Sequence, residues 1–397
     1  MARWFPMIFK LALRNIVGNG WRSLINIFII AAVLISLIWM EAMWYSWLVL
    51  ARTEQKQWEF ASGLLRSENY DPYDSFTWEK SYAPIPAEAV PHVASGDVVP
   101  ILFAPGVIFP GGRQLSAMVK GIPAGQNVLK LPSSSLAGGE RGPVPALIGT
   151  GMAKTTKLKA GDVFQLRLKD SAGAFRALEL RVSEVMDCPV PSLDAGTVWV
   201  DLNALREARL LPDVATVLVL RDRSLQSISA PRYELITEKE FFADLNEMVM
   251  TKAVGQAFLF VLMIFLAMLA IYDTQALAIF KRRKEIGMLS ALGMTKGQIT
   301  RLFTLEGALY MLFACVVTLV MGFPLFWYFA VKGFSLPGDA NFGMVGFDRP
   351  LLFVYPLPLI LFTLVLMFIL TAFVSWLPVR RIASLNVMES LKGGRNA

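Results

Sequence analysis

Few residues in this chain have the types and spacing that enzyme chemistry needs. His92 is the only histidine, so any Ser-His-Asp or Cys-His mechanism would have to use it, and its proline-flanked stretch is typical of a surface loop. Cys188 lies in a polar stretch and Cys315 in an apolar run, so we expect no disulfide between them and no Cys/His metal cluster. The sequence therefore predicts neither a catalytic residue nor a metal site.

Acidic residues near the apolar runs are the next candidates. Glu41 lies within the first run, where an acid is expected to face other helices or water rather than lipid, unless it reaches the membrane surface as an interfacial side chain. Asp273 and Glu306 lie at the ends of two other runs. Because the three acids lie apart in depth, a paired-carboxylate enzyme within a membrane is disfavoured. No G-x-x-x-x-G-K-[ST] phosphate-binding loop occurs in the sequence. We therefore predict that the chain is not an enzyme and binds no cofactor itself.

The composition is that of a membrane protein with at least one water-exposed domain. Of the 397 residues, 55% are hydrophobic and 17% are charged, which is too few charges to cover a globular surface. The net charge is +7. The basic residues cluster at the ends of the apolar runs, as the positive-inside rule describes, so we expect no nucleic-acid partner.

Four apolar runs are long enough to cross a bilayer, which takes about 20 residues. We predict a membrane protein, α-helical with four transmembrane helices, plus a large extracytoplasmic α+β domain inserted between the first and second. Dense Lys/Arg clusters predict that both termini and the loop at 281–301 are cytoplasmic. The predicted segments are an amphipathic N-terminal helix (1–23), transmembrane helix 1 (24–50), the α+β domain (51–250), transmembrane helix 2 with a stalk (251–280), a cytoplasmic loop with a short helix (281–301), transmembrane helix 3 (302–331), a short outer loop (332–350), transmembrane helix 4 (351–377) and a cytoplasmic tail (378–397).

The segment 51–250 differs in character from the rest of the chain. Apolar residues alternate with polar ones at 178–183, and the residues at 198–200 and 214–220 are typical of strands. Short helices are expected at 203–209 and 238–250. A domain of roughly 200 residues is large enough for its own core. We expect two lobes, because both ends of the segment must return to the membrane.

The basic stretch at 281–299, KRRKEIGMLSALGMTKGQI, is predicted to form a short helix at the membrane surface. Ile286, Leu289 and Leu292 fall on one face of it, Gly293 ends it, and Thr295 can cap a second helix that leads into the third span. A short exposed helix with an apolar face needs either a groove in a partner or a lipid surface. The residues alone leave these two alternatives open.

This stretch closely resembles the coupling-helix region of FtsX-like ABC permeases, whose pattern is approximately R-R-x-E-I-G-x-L-x-A-L-G followed by an isoleucine. Three further segments are similar to segments of the family and occur in the same order: A-L-R-N at 12–15, L-E-G at 305–307 and P-V-R-R-I-A-S-L-N-V-M-E-S-L at 378–391. The last of them departs from the family by having Asn386-Val387 near the place where proline is common.

The α+β domain also resembles this family. The segment 146–162, ALIGTGMAKTTKLKAGD, is similar to the family's I-G-x-x-L-A-x-x-L-x-x-x-x-G-D segment, and 119–122 is similar to the strand that precedes it. These details are closest to the LolC/LolE lipoprotein-releasing branch, and the predicted topology is MacB-like. The resemblance implies a location in the bacterial inner (cytoplasmic) membrane.

The resemblance implies a permease subunit that is driven by two copies of a separate ABC ATPase, which binds the ATP and Mg. It further implies a second permease chain, either a copy of this one or a sister permease, together with membrane lipids and a periplasmic carrier or adaptor. The residues that match the family's ATPase-contacting coupling helix are Lys284, Glu285, Ile286, Leu289, Ala291, Leu292 and Gly293.

The branch implies extraction of lipoproteins from the inner membrane, with ATP-driven mechanotransmission to the periplasmic domain. Two alternatives stay open: a permease of an efflux or peptide-export system, and a mechanotransmitting regulator of a cell-wall hydrolase. A lipoprotein would reach the permease between the first and second spans, although the same residues would also suit simple packing against lipid. The candidate substrate-path residues are Met40, Glu41, Met43, Phe258, Val261 and Met263.

Overall fold

The computed structural model describes residues 5–18, 20–138, 142–335 and 350–383. The chain divides into two compact units. The helical unit consists of Met1–Trp47, Met250–Phe334 and Leu351–Ala397, and the β-rich unit consists of Leu48–Val249 and Ser335–Pro350.

Four helical stretches are long and apolar enough to cross a membrane, which agrees with the four predicted spans. They are Ser23–Phe60, Ala243–Leu277, Lys296–Val331 and Leu357–Pro378. The α-helices of the described residues are α1 (Phe5–Gly18), α2 (Trp21–Gln55), α3 (Val90–Ser95), α4 (Thr150–Thr156), α5 (Pro191–Gly196), α6 (Leu202–Arg209), α7 (Glu238–Phe241), α8 (Ala243–Lys281), α9 (Arg283–Ala291), α10 (Lys296–Val317), α11 (Phe323–Val331) and α12 (Leu357–Ala383).

The helical unit has a hydrophobic core built from α1, α2, α8, α10 and α12. Leu34, Met311 and Met367 are fully buried in it. Helices α10 and α12 approach closely at Gly307, because a Cβ added there would lie 2.4 Å from the Cβ of Ser375. Glycine at this position therefore permits the contact between the two helices.

The third candidate span contains an irregularity near Gly322 and Pro324. Helix α10 ends at Val317, the segment Thr318–Gly322 is π-helical, and α11 begins at Phe323. Pro324 follows this π-helical turn directly and cannot donate a backbone hydrogen bond to the preceding turn. The span therefore changes its helical pitch here and continues.

The strands of the described residues lie between Gly63 and Ile236. They are β1 (Gly63–Ser67), β2 (Ala83–Pro84), β3 (Val98–Phe109), β4 (Leu115–Ile122), β5 (Val144–Gly149), β6 (Val163–Lys169), β7 (Phe175–Met186), β8 (Thr197–Asp201), β9 (Val214–Ala215), β10 (Val217–Leu220) and β11 (Tyr233–Ile236). Nine of them form one sheet in the order β11-β1-β10-β3-β4-β8-β5-β7-β6, and β2 pairs with β9.

The long strand β3 closes part of this sheet into a barrel. Its residues 102–108 pair with β4, and its residues 106–109 pair with β6, the last strand in the sheet order. Strands β3, β4, β8, β5, β7 and β6 thus form a closed ring. Residues 98–101 of β3 pair with β10, which begins an extension that continues through β1 to β11. The sheet therefore consists of a barrel and an extension that share β3, within one compact unit.

Alternate side chains of the barrel strands fill its interior. On β3, Leu102, Ala104 and Ile108 belong to this core. Gly106 falls in the same register, and a Cβ added there would lie 2.8 Å from Cδ1 of Leu166. A spacing of two residues is what strand geometry requires of one buried face. The small residues on β3 therefore make room for larger ones on β6.

The helices predicted within this domain are present with one change. The helix predicted at 203–209 is α6, and the side chain of Asp201 accepts hydrogen bonds at its N-terminus. The helix predicted at 238–250 is divided, because Phe242 lies between α7 and α8. Thr237 and Glu240 form a capping box that begins α7.

The direct junction of β5 and α4 gives a physical reason for the glycines in the segment 146–162. The carboxylate of Asp194 accepts hydrogen bonds from the N–H of Gly151, at 2.8 Å, and from the hydroxyl of Thr150, at 3.1 Å. A Cβ added at Gly149 would lie 2.3 Å from the carbonyl oxygen of Asp194. Glycine at position 149 therefore allows α5 to pack against the start of α4.

We expect Gly149→Ala to destabilise the β-rich unit by about 1–3 kcal/mol, because the added methyl overlaps backbone that cannot move alone. Hydrogen–deuterium exchange of β5 and β8 peptides in the full chain should then be at least about tenfold faster. The control is Gly196→Ala, because a Cβ added at Gly196 meets nothing within 4 Å. Equal exchange in the two variants would contradict the packing described.

Candidate functional site

The basic stretch forms the short helix α9, and a Schellman motif ends it. The N–H of Gly293 donates to the carbonyl of Ser290, and the N–H of Met294 donates to the carbonyl of Leu289, both at 3.0 Å. Gly293 has a φ of +93°, which glycine adopts without steric cost. Helix α9 therefore ends at Gly293, as the sequence predicted.

A second cap lies only two residues further on. The side chain of Thr295 accepts a hydrogen bond from the N–H of Gln298, and the side chain of Gln298 accepts one from the N–H of Thr295, at 2.8 Å. This capping box begins α10. The connection between α9 and α10 is therefore short and hydrogen-bonded at both of its ends.

Arg282 lies between α8 and α9 and pairs with a buried carboxylate of α10. Its Nη1 donates to both carboxylate oxygens of Glu306, at 3.2 and 3.1 Å, and its Nε donates to Glu285 at 2.7 Å. The side chain of Glu306 is 4% exposed and that of Arg282 is 14% exposed. A carboxylate this deeply buried needs a cation and hydrogen bonds to remain charged. Arg282 therefore holds the start of α9 against α10.

Two further contacts complete this cluster. The side-chain N–H of Asn15, on α1, donates to Oε1 of Glu306. The guanidinium of Arg282 lies 5.0 Å from the centroid of the Phe303 ring, a favourable cation–π distance. The cluster of Arg282, Glu306, Asn15 and Phe303 therefore joins the N-terminal helix, the α8–α9 junction and α10.

The apolar face predicted for α9 does not behave as one surface. Ile286 is 7% exposed and packs with Ile299 and Phe303, and Leu289 is half-buried against the core of the helical unit. Leu292, in contrast, is 77% exposed. A helix turns about 100° per residue, so each step of three residues moves a side chain by about 60° around the axis. Ile286, Leu289 and Leu292 therefore do not share one exposed face, and their contact with a partner ATPase stays a prediction.

The exposed face of α9 consists of Glu285, Met288 and Leu292. Met288 is 57% exposed and Leu292 is 77% exposed, and the carboxylate of Glu285 pairs with Arg282 beside them. Their spacing of three and four residues keeps them within about 60° of the helix circumference. This face presents two apolar side chains and one acid to the surroundings of the helical unit.

The other residues predicted to contact an ATPase differ in exposure, and their contact stays a prediction. Ala291 and Gly293 are exposed, as a contact surface requires, while the side chain of Lys284 lies outside the described residues. Sequence reasoning did not select Arg282 or Met288. The spacing of Met288 and Leu292 at i and i+4 was a signal for Met288, whereas the role of Arg282 depends on a carboxylate 24 residues away.

The six candidate substrate-path residues are not equivalent. Phe258 and Val261, on α8, are 68% and 62% exposed, whereas Met40, Met43 and Met263 are half-buried. Glu41, whose role the sequence left open, accepts a hydrogen bond at 2.7 Å from the hydroxyl of Thr363 on α12. The structure thus connects Glu41 to the fourth span and leaves the two α8 side chains as exposed apolar groups.

The sulfur and acidic side chains of the described residues show no arrangement for metal binding or thiol chemistry. No group of three or more His, Cys, Asp or Glu side chains in this part of the chain could hold a metal ion. Cys188 and Cys315 are both free, and burial raises the pKa of the Cys188 thiol to about 12. Cys188 therefore stays protonated and unreactive near neutral pH.

We expect Arg282→Met to lower the free energy of unfolding by about 3 kcal/mol, because it leaves the buried carboxylate of Glu306 without its cation. Thermal unfolding of the full chain in detergent, followed by tryptophan fluorescence, measures this. The control is Arg301→Met, which removes an exposed arginine of α10. The double variant Arg282→Met/Glu306→Met should recover much of the loss. A single variant as stable as the control would contradict the role given to this pair.

Comparison with known proteins finds a family model and solved structures that match parts of the chain. A family model described as "FtsX-like permease C-terminal" matches residues 257–387, about a third of the chain. No curated protein sequence matches. Among solved structures, the extracellular domain of the noncanonic ABC-type transporter YknZ from Gram-positive bacteria is 14% identical and covers 41% of this chain and 85% of its own, but the TM-score of 0.26 is too low for any argument. Residues 257–387 are therefore similar to the C-terminal domain of FtsX-like permeases, which are membrane components of ABC transporters and work with separate ATPase subunits.

Proposed function

We propose that this chain is the transmembrane subunit of an ABC transporter in the bacterial inner membrane, with both termini and α9 in the cytoplasm. Two copies of a separate ATPase bind ATP and Mg and drive it, and a second permease chain completes the assembly. In this proposal the β-rich unit lies outside the cytoplasm and does the mechanical work there. The family match over residues 257–387, which includes α9, supports the proposal.

The observation that carries the proposal is the division of α9 into an anchored and an exposed face. Arg282 and Ile286 fix one side to α10, while Met288 and Leu292 project from the other. Exposed apolar residues on a short, well-anchored helix are suited to a groove in a partner protein. Because the anchors lie on this chain, a force applied to the exposed face moves α9 as a rigid piece.

Helix α8 is the element that would carry this motion. It runs without interruption from Ala243 to Lys281, directly before Arg282, over 39 residues. At 1.5 Å per residue it is about 58 Å long, roughly twice the hydrocarbon thickness of a bilayer. Its first residues belong to the β-rich unit and the remainder to the helical unit. A displacement of α9 would therefore reach the β-rich unit through one continuous helix.

For the cargo we propose lipoproteins, which the permease extracts from the inner membrane and passes to a periplasmic carrier. Removing acyl chains from a bilayer costs about 0.8 kcal/mol per CH₂, so a multi-chain anchor needs coupling to ATP. The exposed Phe258 and Val261 on α8 would offer the acyl chains an apolar surface on the permease itself. Efflux or peptide export, and control of a cell-wall hydrolase, are the alternatives that the same geometry permits.

We expect Met288→Asp and Leu292→Asp each to weaken binding of the partner ATPase at least about tenfold, because a charge replaces a buried apolar contact. Co-purification of the ATPase from native membranes, followed by its affinity in detergent, measures this. The control is Gly297→Asp, which puts the same side chain at an exposed position in the first turn of α10. The proposal fails if the ATPase binds both variants as tightly as it binds the control.

The cargo is tested separately with a photoreactive residue, p-benzoylphenylalanine, at position 258. We expect crosslinks to acylated lipoproteins at Phe258, and we expect ATP hydrolysis to reduce them as cargo is released. The control places p-benzoylphenylalanine at position 361 instead, because Leu361 on α12 is 50% exposed. Equal lipoprotein labelling at both positions would indicate general contact with the membrane and would count against this path. Labelling by an adaptor or a hydrolase would favour the alternatives.

A further inference from the structure

The β-rich unit contains a cavity of about 480 Å³ that the proposed transport mechanism does not use. Its floor is one face of the sheet, where β1, β3, β4, β8, β10 and β11 each contribute a side chain, and its rim includes the end of α2 and the start of α8. The volume lies within the range of small-molecule sites in proteins. Six aromatic side chains line it: Trp58, Tyr70, Tyr73, Phe103, Trp199 and Phe241.

The charges of the lining do not balance. Four carboxylates and two cations line the cavity. Both cations already have acidic partners, since Lys120 pairs with Glu59 at 3.3 Å and Arg66 pairs with Glu234 at 3.2 Å. The two other carboxylates therefore give the cavity an excess of negative charge.

Those two carboxylates, Glu240 and Asp244, have neutral hydrogen-bond partners. Glu240 accepts from the N–H and the hydroxyl of Thr237, at 2.8 and 2.9 Å, and Asp244 accepts from the hydroxyl of Tyr73. In the described part of the chain, neither carboxylate forms an ion pair. The hydrogen bonds from Thr237 hold the pKa of Glu240 below its usual range, so this group is charged at neutral pH.

The floor of the cavity already carries one cation. The Nζ of Lys120 lies 4.7 Å from the centroid of the Phe103 ring and 5.3 Å from that of the Trp199 ring. These two rings therefore already face a positive charge, and Glu240 and Asp244 are the groups of the lining that attract a further one.

We propose that this cavity binds a small organic cation that carries an apolar group. The unpaired carboxylates of Glu240 and Asp244 attract the positive charge. The aliphatic part of the floor, including Leu64, Ile101 and Val217, takes the apolar group.

The place of the cavity gives such a ligand a means of acting on the rest of the chain. The lining includes Gln55, the last residue of α2, and Ala243 and Asp244, the first residues of α8. A ligand in contact with Asp244 therefore touches the helix that continues to α9. Binding itself requires only the β-rich unit, so the inference does not depend on the proposed cargo or on an ATPase.

The test uses two ligands of the same shape. Benzoylcholine has an aromatic ring, an ester oxygen and a quaternary ammonium, and 3,3-dimethylbutyl benzoate replaces the charged nitrogen with carbon. We expect isothermal titration calorimetry with the full chain in a neutral detergent to give at least about tenfold tighter binding of benzoylcholine. Equal affinities, or no saturable binding of benzoylcholine at millimolar concentration, would overturn the proposal.

Charge-removing variants locate the site. The double variant Glu240→Gln/Asp244→Asn keeps the shape and the acceptor oxygens of both side chains, so it should lower benzoylcholine affinity about tenfold and leave the affinity for the uncharged ligand unchanged. The control is Glu179→Gln, which removes an exposed acid of β7 outside the cavity. Unchanged benzoylcholine binding in the double variant would reject this site. The comparison of the two ligands on the unmodified chain decides the question even if the double variant does not fold.

Discussion

The buried carboxylate of Glu306 is the constraint on which the arrangement of the helical unit depends. It lies within an apolar bundle, where a charge without a partner costs several kcal/mol. Its cation comes from Arg282, at the break between α8 and α9, and a further hydrogen bond comes from Asn15 on α1. One charge therefore determines where α8 ends, how α9 begins and where the N-terminal helix lies against α10. The exposed face of α9 is a consequence of this fixed start.

Periodicity in the sequence predicted the elements better than it predicted their faces. The four spans, the strands at 178–182 and 198–200, and the helix end at Gly293 follow from local rules of spacing and backbone conformation. Which side of α9 is buried does not follow from such rules, because Ile299 and Phe303 of α10 decide it. The closure of the barrel could not be predicted from the sequence either. Strands β3 and β6 are about 60 residues apart, and no local pattern in either strand indicates that they pair.

The cavity in the β-rich unit shows the same limit more strongly. Lys120 and Trp199 on the sheet, and Glu240 and Asp244 beside it, come from distant parts of the chain, and no motif joins them. The glycine at 149 lies between these cases. The sequence motif indicated that position 149 is a glycine of the family's pattern. It did not indicate the reason, which is that the backbone of Asp194 leaves no room for a Cβ there. Local sequence patterns therefore indicated which positions are structurally constrained, and the packing in the structure gave the physical reason.

The pairing of β1 with β10 has a consequence for biosynthesis. Arg66 lies opposite Val217, so about 150 residues separate the two strands along the chain. At ordinary rates of translation, roughly 10–30 s pass between the synthesis of β1 and that of β10. The barrel strands from β3 to β8 are synthesised during this interval. During that interval the chain holds an apolar strand with unpaired backbone groups, directly after its first span. The sheet extension of β10, β1 and β11 is therefore the last part of the sheet whose strands are all synthesised.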